Sequence, residues 1–229
     1  MEITAEQLAA RIDHTLLKAT ATSENIKRLC AEAVEHGFCA VSINNRWISL
    51  AADILTDSKV KVGAVVSLPL GGDTTQIKIV SAKQAIMDGA DEVDMVADLA
   101  AIIEGDERYL AKQLTAVLEV CRAMKPAVTL KVIIESAALT EEQKIFACQV
   151  ADGCGVDFVK TSTGMNPAGG ATIEDVRLMK EYAPNCKVKA AGGIRTAKQA
   201  IEMIKAGAER IGTSSGIQII EQLKPGKLQ

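Results

Sequence analysis

Lys160 closes the apolar run Val156-Asp157-Phe158-Val159-Lys160 and is followed by Thr161-Ser162-Thr163-Gly164. The run predicts a short buried strand, Val156–Lys160, and the turn residues stop it, which puts a lysine at a strand's carboxyl end. In a parallel α/β protein that edge is where substrates bind and catalytic side chains collect. Lysine is costly to bury. One at this place is either a side chain snorkelling to a neighbouring carboxylate or an amine with a chemical task. Other charged residues share the setting. Alternation along strands puts Glu92 with Asp94, Lys131 with Ile133 and Glu135, Lys187 with Lys189, and Phe158 with Lys160. If those faces point inward, Asp94, Lys131, Lys160 and Lys189 meet near one end of the sheet. Such a set is either a structural ion-pair network or a device for lowering one lysine's pKa.

The second possibility has definite chemistry. A free lysine has a pKa near 10.4, so at neutral pH roughly one in 2,500 is the amine that attacks a carbonyl. Burial and a second ammonium nearby both disfavour the charged form. A shift to about 7.5 frees roughly a quarter of the groups and corresponds to about 4 kcal/mol. Lys160 beside Lys189 supplies that arrangement, and Asp94 is placed to shuttle protons once an imine forms.

The elements that hold these residues follow a repeated junction of helix, glycine and short apolar strand. It occurs around Gly37, Gly89, Gly153–Gly155 and Gly207, and it means parallel strands joined by helical crossovers. Strands are expected at Ile12–Leu17, Cys39–Ile43, Lys61–Ser67, Glu92–Val96, Thr129–Ile134, Val156–Lys160, Lys187–Ala190 and Arg210–Thr213. A first short helix is expected behind Thr4, and another behind Ser23 through Glu35. Further helices are expected at Asn45–Leu55, Thr75–Met87, Glu107–Met124, Glu141–Ala151, Ile173–Tyr182 and Ala197–Lys205, and near Ile217–Leu223. Eight such strands in 229 residues point to a single-domain α/β protein, a (β/α)8 barrel over 1–229. An open doubly wound sheet is the alternative, but no G-x-G-x-x-G or G-x-x-x-x-G-K-[ST] occurs.

Composition narrows the partners. Lys and Arg number 26 against 29 Asp and Glu, a net charge of −3, which gives no general attraction to nucleic acid or anionic membrane. No signal-peptide order opens the chain and no run of about 18 apolar residues occurs, so a cytoplasmic protein is expected. Six scattered cysteines without a C-x-x-C pair read as buried hydrophobes or free thiols. Two histidines, His14 and His36, offer no close ligand spacing, which argues against a histidine-rich zinc site and leaves one built from carboxylates alone open; no metal and no cofactor is expected. The phosphate end is legible instead. Ala190–Thr196 contains Gly192 and Gly193, and Ile211–Gly216 contains Gly212, Ser214 and Ser215. Both stretches follow a strand and precede a helix, in the last two βα loops where a barrel commonly holds phosphate. The same chemistry also simply makes turns and caps. Gly169-Gly170-Ala171-Thr172 is a further contact or only a cap.

These blocks together resemble deoxyribose-phosphate aldolase. The resemblance rests on Val159-Lys160-Thr161-Ser162-Thr163-Gly164, on Lys189-Ala190-Ala191-Gly192-Gly193-Ile194-Arg195-Thr196 and on Gly212-Thr213-Ser214-Ser215. It extends to Asp13-His14-Thr15-Leu16-Leu17-Lys18, Glu92–Val96 and Leu130–Glu135, in family order over nearly the whole chain. It implies a class I aldolase on a (β/α)8 barrel that cleaves 2-deoxy-D-ribose 5-phosphate reversibly to acetaldehyde and D-glyceraldehyde 3-phosphate. Lys160 is then the Schiff-base nucleophile, Lys189 the lysine that perturbs it, and Asp94 the proton donor and acceptor. Gly164, Gly192, Gly193, Gly212, Ser214 and Ser215 are expected at the phosphate, with Lys131, Asp13 and Thr15 in support. The expected partners are a sugar phosphate, small aldehydes and further copies of the chain. A class I aldolase of another phosphorylated sugar, or a non-catalytic sugar-phosphate binder, are the alternatives.

Three stretches depart from the family pattern. Asp98 and Ala100 stand where the family commonly has asparagine and glycine, and Met165-Asn166-Pro167-Ala168 replaces a glycine-containing run. The tail after Glu221 carries no tyrosine. If the strand continues past Val96, Asp98 stands inward above Asp94 and raises its proton affinity; otherwise it pairs with a cation or faces water.

Overall fold

Eight short apolar runs become parallel strands because each is buried on both sides. They are β1 (Ile12–Leu16), β2 (Ala40–Ile43), β3 (Lys61–Val66), β4 (Glu92–Val96), β5 (Thr129–Ile133), β6 (Phe158–Lys160), β7 (Lys187–Ala191) and β8 (Ala208–Thr213). Each pairs with the next and β8 pairs with β1, so the sheet closes. The structure, a computed structural model, describes residues 3–223. The tyrosine-free tail falls mostly on residues 224–229, outside the described residues.

Parallel neighbours require crossovers, and helices supply them. Before β1 lies α1 (Ala5–Ala9), and the crossovers to β2, β3 and β4 are α2 (Ser23–His36), α3 (Ile48–Leu55) and α4 (Thr75–Met87). Two helices, α5 (Leu99–Glu104) and α6 (Glu107–Arg122), lie between β4 and β5. The remaining helices are α7 (Glu141–Cys154), α8 (Ile173–Tyr182), α9 (Ala197–Ala206) and α10 (Gly216–Glu221). The fold is the expected single-domain (β/α)8 barrel. Gly37 and Gly155 end α2 and α7 at φ 66° and 76°, the left-handed conformation that glycine adopts without a Cβ clash.

Local chemistry moves some boundaries. Thr4 caps α1 as expected, but α2 is capped by Thr22, whose extended backbone and capping box with Asn25 leave Ser23 as the first helical residue. Strand β6 starts at Phe158 rather than Val156: just before it the Leu130 N–H donates to the Asp157 carboxylate (2.8 Å), which also accepts from Arg122, rather than to a backbone carbonyl of a longer strand. Helix α5 was not expected at all.

The apolar core lies outside the barrel. Leu130, Val132, Val159, Val188 and Ile211 point outward and pack with helical residues such as Cys148, Val176 and Met179. The opposite parity points inward and carries charge. Pairing sets Asp94 level with Lys131, Ile133 with Lys160, Lys160 with Lys189, and Lys189 with Arg210.

Candidate active site

The inward residues meet as an ion-pair network. Asp94 on β4 is its hub: Oδ2 accepts from Lys160 Nζ at 2.8 Å and from Lys189 Nζ at 2.7 Å, while Oδ1 accepts from Lys131 Nζ at 2.8 Å. Lys189 also reaches Asp13 at 2.5 Å, and Lys131 reaches Glu92 at 2.6 Å. Arg210 on β8 lies 2.9 Å from Asp13 and 2.6 Å from Glu92. All seven side chains are buried. So four cations face three carboxylates, a denser acid set than four inward residues from parity suggested. Sequence reasoning left Glu92 and Arg210 out of the site. Glu92 was legible by its parity with Asp94, whereas Arg210 follows only from the pairing of β7 with β8.

Among these groups Lys160 alone borders the cavity at the carboxyl end of the barrel, while Glu92 and Arg210 line a separate one at the amino end. A cavity of about 300 Å³ at the carboxyl ends of β1, β6, β7 and β8 is lined by Lys160, and neither Lys131, Lys189 nor Asp94 lines it. Burial pushes the Lys160 amine down to about 8; Asp94 opposes this, while Lys189 and Lys131 add to it. The cause is therefore burial first and the second ammonium after it. At neutral pH roughly one Lys160 in ten is a free amine, a gain of a few hundredfold over an ordinary lysine. Asp94 is held the other way. Burial works against its charge, but Lys131, Lys160 and Lys189 outweigh that and keep its carboxyl well below the usual range. Asp13 is likewise ionised: burial is outweighed by Lys189, Lys131 and Arg210.

The loops above complete the cavity. Gly164, Gly192, Gly193, Gly212 and Ser214 all line it, as does Thr15, whose hydroxyl donates to the Asp13 carbonyl at 2.9 Å. Ser215 does not line it. Its N–H turns back to Thr213 Oγ1 at 3.0 Å as the chain enters α10. Gly192 sits at φ 90°, and a Cβ there would stand 2.9 Å from Gly170 Cα, so the loops after β6 and β7 meet glycine to glycine. Thr172, beyond that contact, is the N-cap of α8, so the Gly169–Thr172 stretch acts as a cap and a close approach. Gly212 makes room for the site, since a Cβ there would lie 3.1 Å from Lys189 Cε. Sequence reasoning missed Lys18 and Arg195, exposed cations on the same cavity, although both stand inside motifs it singled out. It also missed Glu135, whose carboxylate accepts the Thr163 N–H at 3.2 and 3.3 Å and shapes the loop after Lys160.

Asp98 does not join the network. The strand ends at Val96, and Asp98 is the N-cap of α5, accepting from Ala101 N at 3.1 Å. Its inward placement above Asp94 is therefore corrected: a cap needs the side chain along its own helix, not across the barrel. Among the described residues no group of three or more His, Cys, Asp or Glu is placed to hold a metal ion.

Comparison with known proteins agrees with this geometry. Residues 8–222 match the family described as DeoC/LacD family aldolase. The chain belongs to that aldolase family. A deoxyribose-phosphate aldolase of Thermococcus gammatolerans is 50% identical over 217 residues, covering 93% of this chain and 95% of the relative. One from Thermococcus kodakarensis is 50% identical over 218 residues, covering 94% and 96%. Among solved structures, the tetrameric deoxyribose phosphate aldolase of Aeropyrum pernix superposes with a TM-score of 0.89 at 29% identity, covering 97% and 93%. Membership in an aldolase family fits a buried amine at a cavity floor, because imine formation is the task that such an amine performs.

Proposed function

We propose that the chain cleaves 2-deoxy-D-ribose 5-phosphate reversibly to acetaldehyde and D-glyceraldehyde 3-phosphate, through a Schiff base on Lys160. The observation that carries this reading is that Lys160, alone of the three buried lysines around Asp94, lines the cavity. Its free amine attacks the aldehyde carbon, and the carbinolamine loses water to give a protonated imine. A base removes the proton of the hydroxyl on the third carbon. The bond between the second and third carbons then breaks, and its electrons pass into the imine to leave an enamine. Protonation of that enamine and hydrolysis return acetaldehyde and the free lysine. Asp94 touches Lys160 and in this reading is the proton donor and acceptor of the imine steps, while Lys189 holds the other side of the same carboxylate oxygen. Gly164, Gly192, Gly193, Gly212 and Ser214 present backbone N–H groups and a hydroxyl to the phosphate, and the cations Lys18 and Arg195 offset its charge. Asp13, Thr15 and Lys131 hold the two working residues in place. The chain assembles as a homo-oligomer, a reading supported by the tetrameric Aeropyrum pernix structure.

Borohydride reduction in the presence of acetaldehyde tests the assignment. It is expected to fix a two-carbon adduct on Lys160 alone, and Lys160→Ala is expected to lose nearly all turnover. An adduct mapped to Lys131 or Lys189 would overturn it.

A further inference from the structure

Below Lys160 the barrel holds an ion pair that the reaction does not touch. Arg210 and Glu92 stand away from the substrate cavity and line a separate one at the amino end, 2.6 Å apart, on strands that are not neighbours. Each is tied upward. Glu92 holds Lys131 at 2.6 Å, and Arg210 holds Asp13 at 2.9 Å, which in turn holds Lys189 at 2.5 Å. Arg210 also donates to the Cys39 sulfur. Contacts therefore run unbroken from the amino end of the barrel to Asp94.

The charges on this chain of contacts nearly cancel. Arg210, Lys131, Lys189 and Lys160 face Asp13, Glu92 and Asp94. With every group ionised there is one cation too many; with Lys160 neutral, three cations meet three anions. All seven groups are buried, and burial penalises unpaired charge, so one group is driven to release a proton. Contact geometry selects which. Lys131 has carboxylates at 2.6, 2.8 and 3.9 Å, and Lys189 has them at 2.5 and 2.7 Å. Arg210 has two and stays charged at any ordinary pH. Lys160 has one, Asp94 at 2.8 Å, already shared with both other lysines.

We propose that Arg210 and Glu92 are positioning residues that set the charge balance of the barrel interior, Arg210 supplying the surplus cation that leaves Lys160 as the free amine. This rests on Lys160 being the reactive lysine. The other charged groups around β6 are committed elsewhere or lie in water. Lys187 is exposed beside the Phe158 ring, Asp157 pairs with Arg122, and Asp175 pairs with Lys144 on the outer layer. Glu135 accepts the Thr163 N–H, and Lys18 and Arg195 are exposed at the cavity mouth.

The test uses the opposite charges of the pair. Reductive methylation with formaldehyde and cyanoborohydride, followed across pH by peptide mapping, reads the free-amine fraction of Lys160 without needing aldol turnover. Arg210→Met is expected to move its midpoint up by about one pH unit and Glu92→Gln to move it down by about one unit. Arg210→Lys, which keeps the charge but not the fork, is expected to stay near the parent value. Shifts in the same direction, or no shift in folded protein, would mean that the pair only plugs the barrel. Glu92→Gln keeps the side-chain shape and decides the matter if Arg210→Met does not fold. A chain whose midpoints move as stated but which cleaves no sugar phosphate loses the proposed function and keeps this inference. A chain that cleaves with unmoved midpoints loses only this one.

Discussion

Lys189 touches Asp94 and Asp13 but does not reach the cavity, so its effect on Lys160 is electrostatic. Replacing it with leucine removes a cation that disfavours the Lys160 ammonium and leaves two carboxylates less compensated. Both changes favour the charged form. Attack needs the neutral amine, so the acidic limb of the pH–rate profile, near 8 in the parent, is expected to move up by about one unit. Activity at pH 7 then falls about tenfold and partly returns in alkaline buffer. A uniform loss without a shift would assign Lys189 to proton transfer instead. Lys160, Lys189 and Asp94 were legible in the sequence because strand parity and strand ends are local properties. The Arg210–Glu92 contact was not, since its partners lie 118 residues apart and meet only when the sheet closes.

Helix α5 shows where local reading stops. Leu99–Glu104 is six residues long, too short for a periodic pattern, and its signals are only its caps, Asp98 before it and Gly105, at φ 70°, after it. That residue also bears on a buried lysine behind the strand. Lys78 of α4 is fully buried, and its Nζ donates to the Val96 carbonyl at 2.8 Å and to Gln113 of α6 at 2.7 Å. It therefore ties two helices to the end of the strand that carries Asp94. Burial pushes Lys78 down to about 8, with the Asp98 and Asp73 carboxylates opposing. The folded pKa lies below the unfolded one, so between pH 8 and about 10.4 the unfolded chain binds more protons and this residue's contribution to stability rises with pH. Lys78→Met takes the lysine's hydrogen bond from the buried Val96 carbonyl, leaves Gln113 Oε1 with only the Asp98 N–H, and is expected to cost about 1–3 kcal/mol at pH 7 in urea unfolding. The deficit should widen at pH 9.5, because the variant cannot share in the rise. An equal deficit at both values would show that Lys78 keeps an ordinary pKa.

Among the described residues the closed barrel leaves no edge strand to offer a partner, so copies of this chain meet through helices and loops. Most of that coat carries scattered apolar residues, which need no explanation. Helix α4 differs. Ile77, Val80 and Met87 are 53%, 55% and 68% exposed, and spacings of three and seven residues put them along one stripe of the helix. Leu70, in the loop before α4, is 78% exposed. The inner side of α4 is also apolar, at Ala82, Ala85 and Ile86, so the outer stripe is not needed to pack the barrel. Lys83 and Gln84 separate Met87 from the Ile77–Val80 pair, so Ile77, Val80 and nearby Leu70 are the apolar residues free to take a partner, and a net charge of −3 sets up little repulsion between copies. If the proposed oligomer forms through α4, Ile77→Lys combined with Val80→Glu should reduce the mass in sedimentation equilibrium to that of one 24.2 kDa chain. Both side chains already face solvent in the single chain, so the cost to its own stability should stay within about 0.5 kcal/mol. Borohydride trapping at Lys160 should persist in the variant, because α4 contributes no residue to the cavity lining. An oligomer of unchanged mass would exclude α4 as the contact and move the search to the other helical faces.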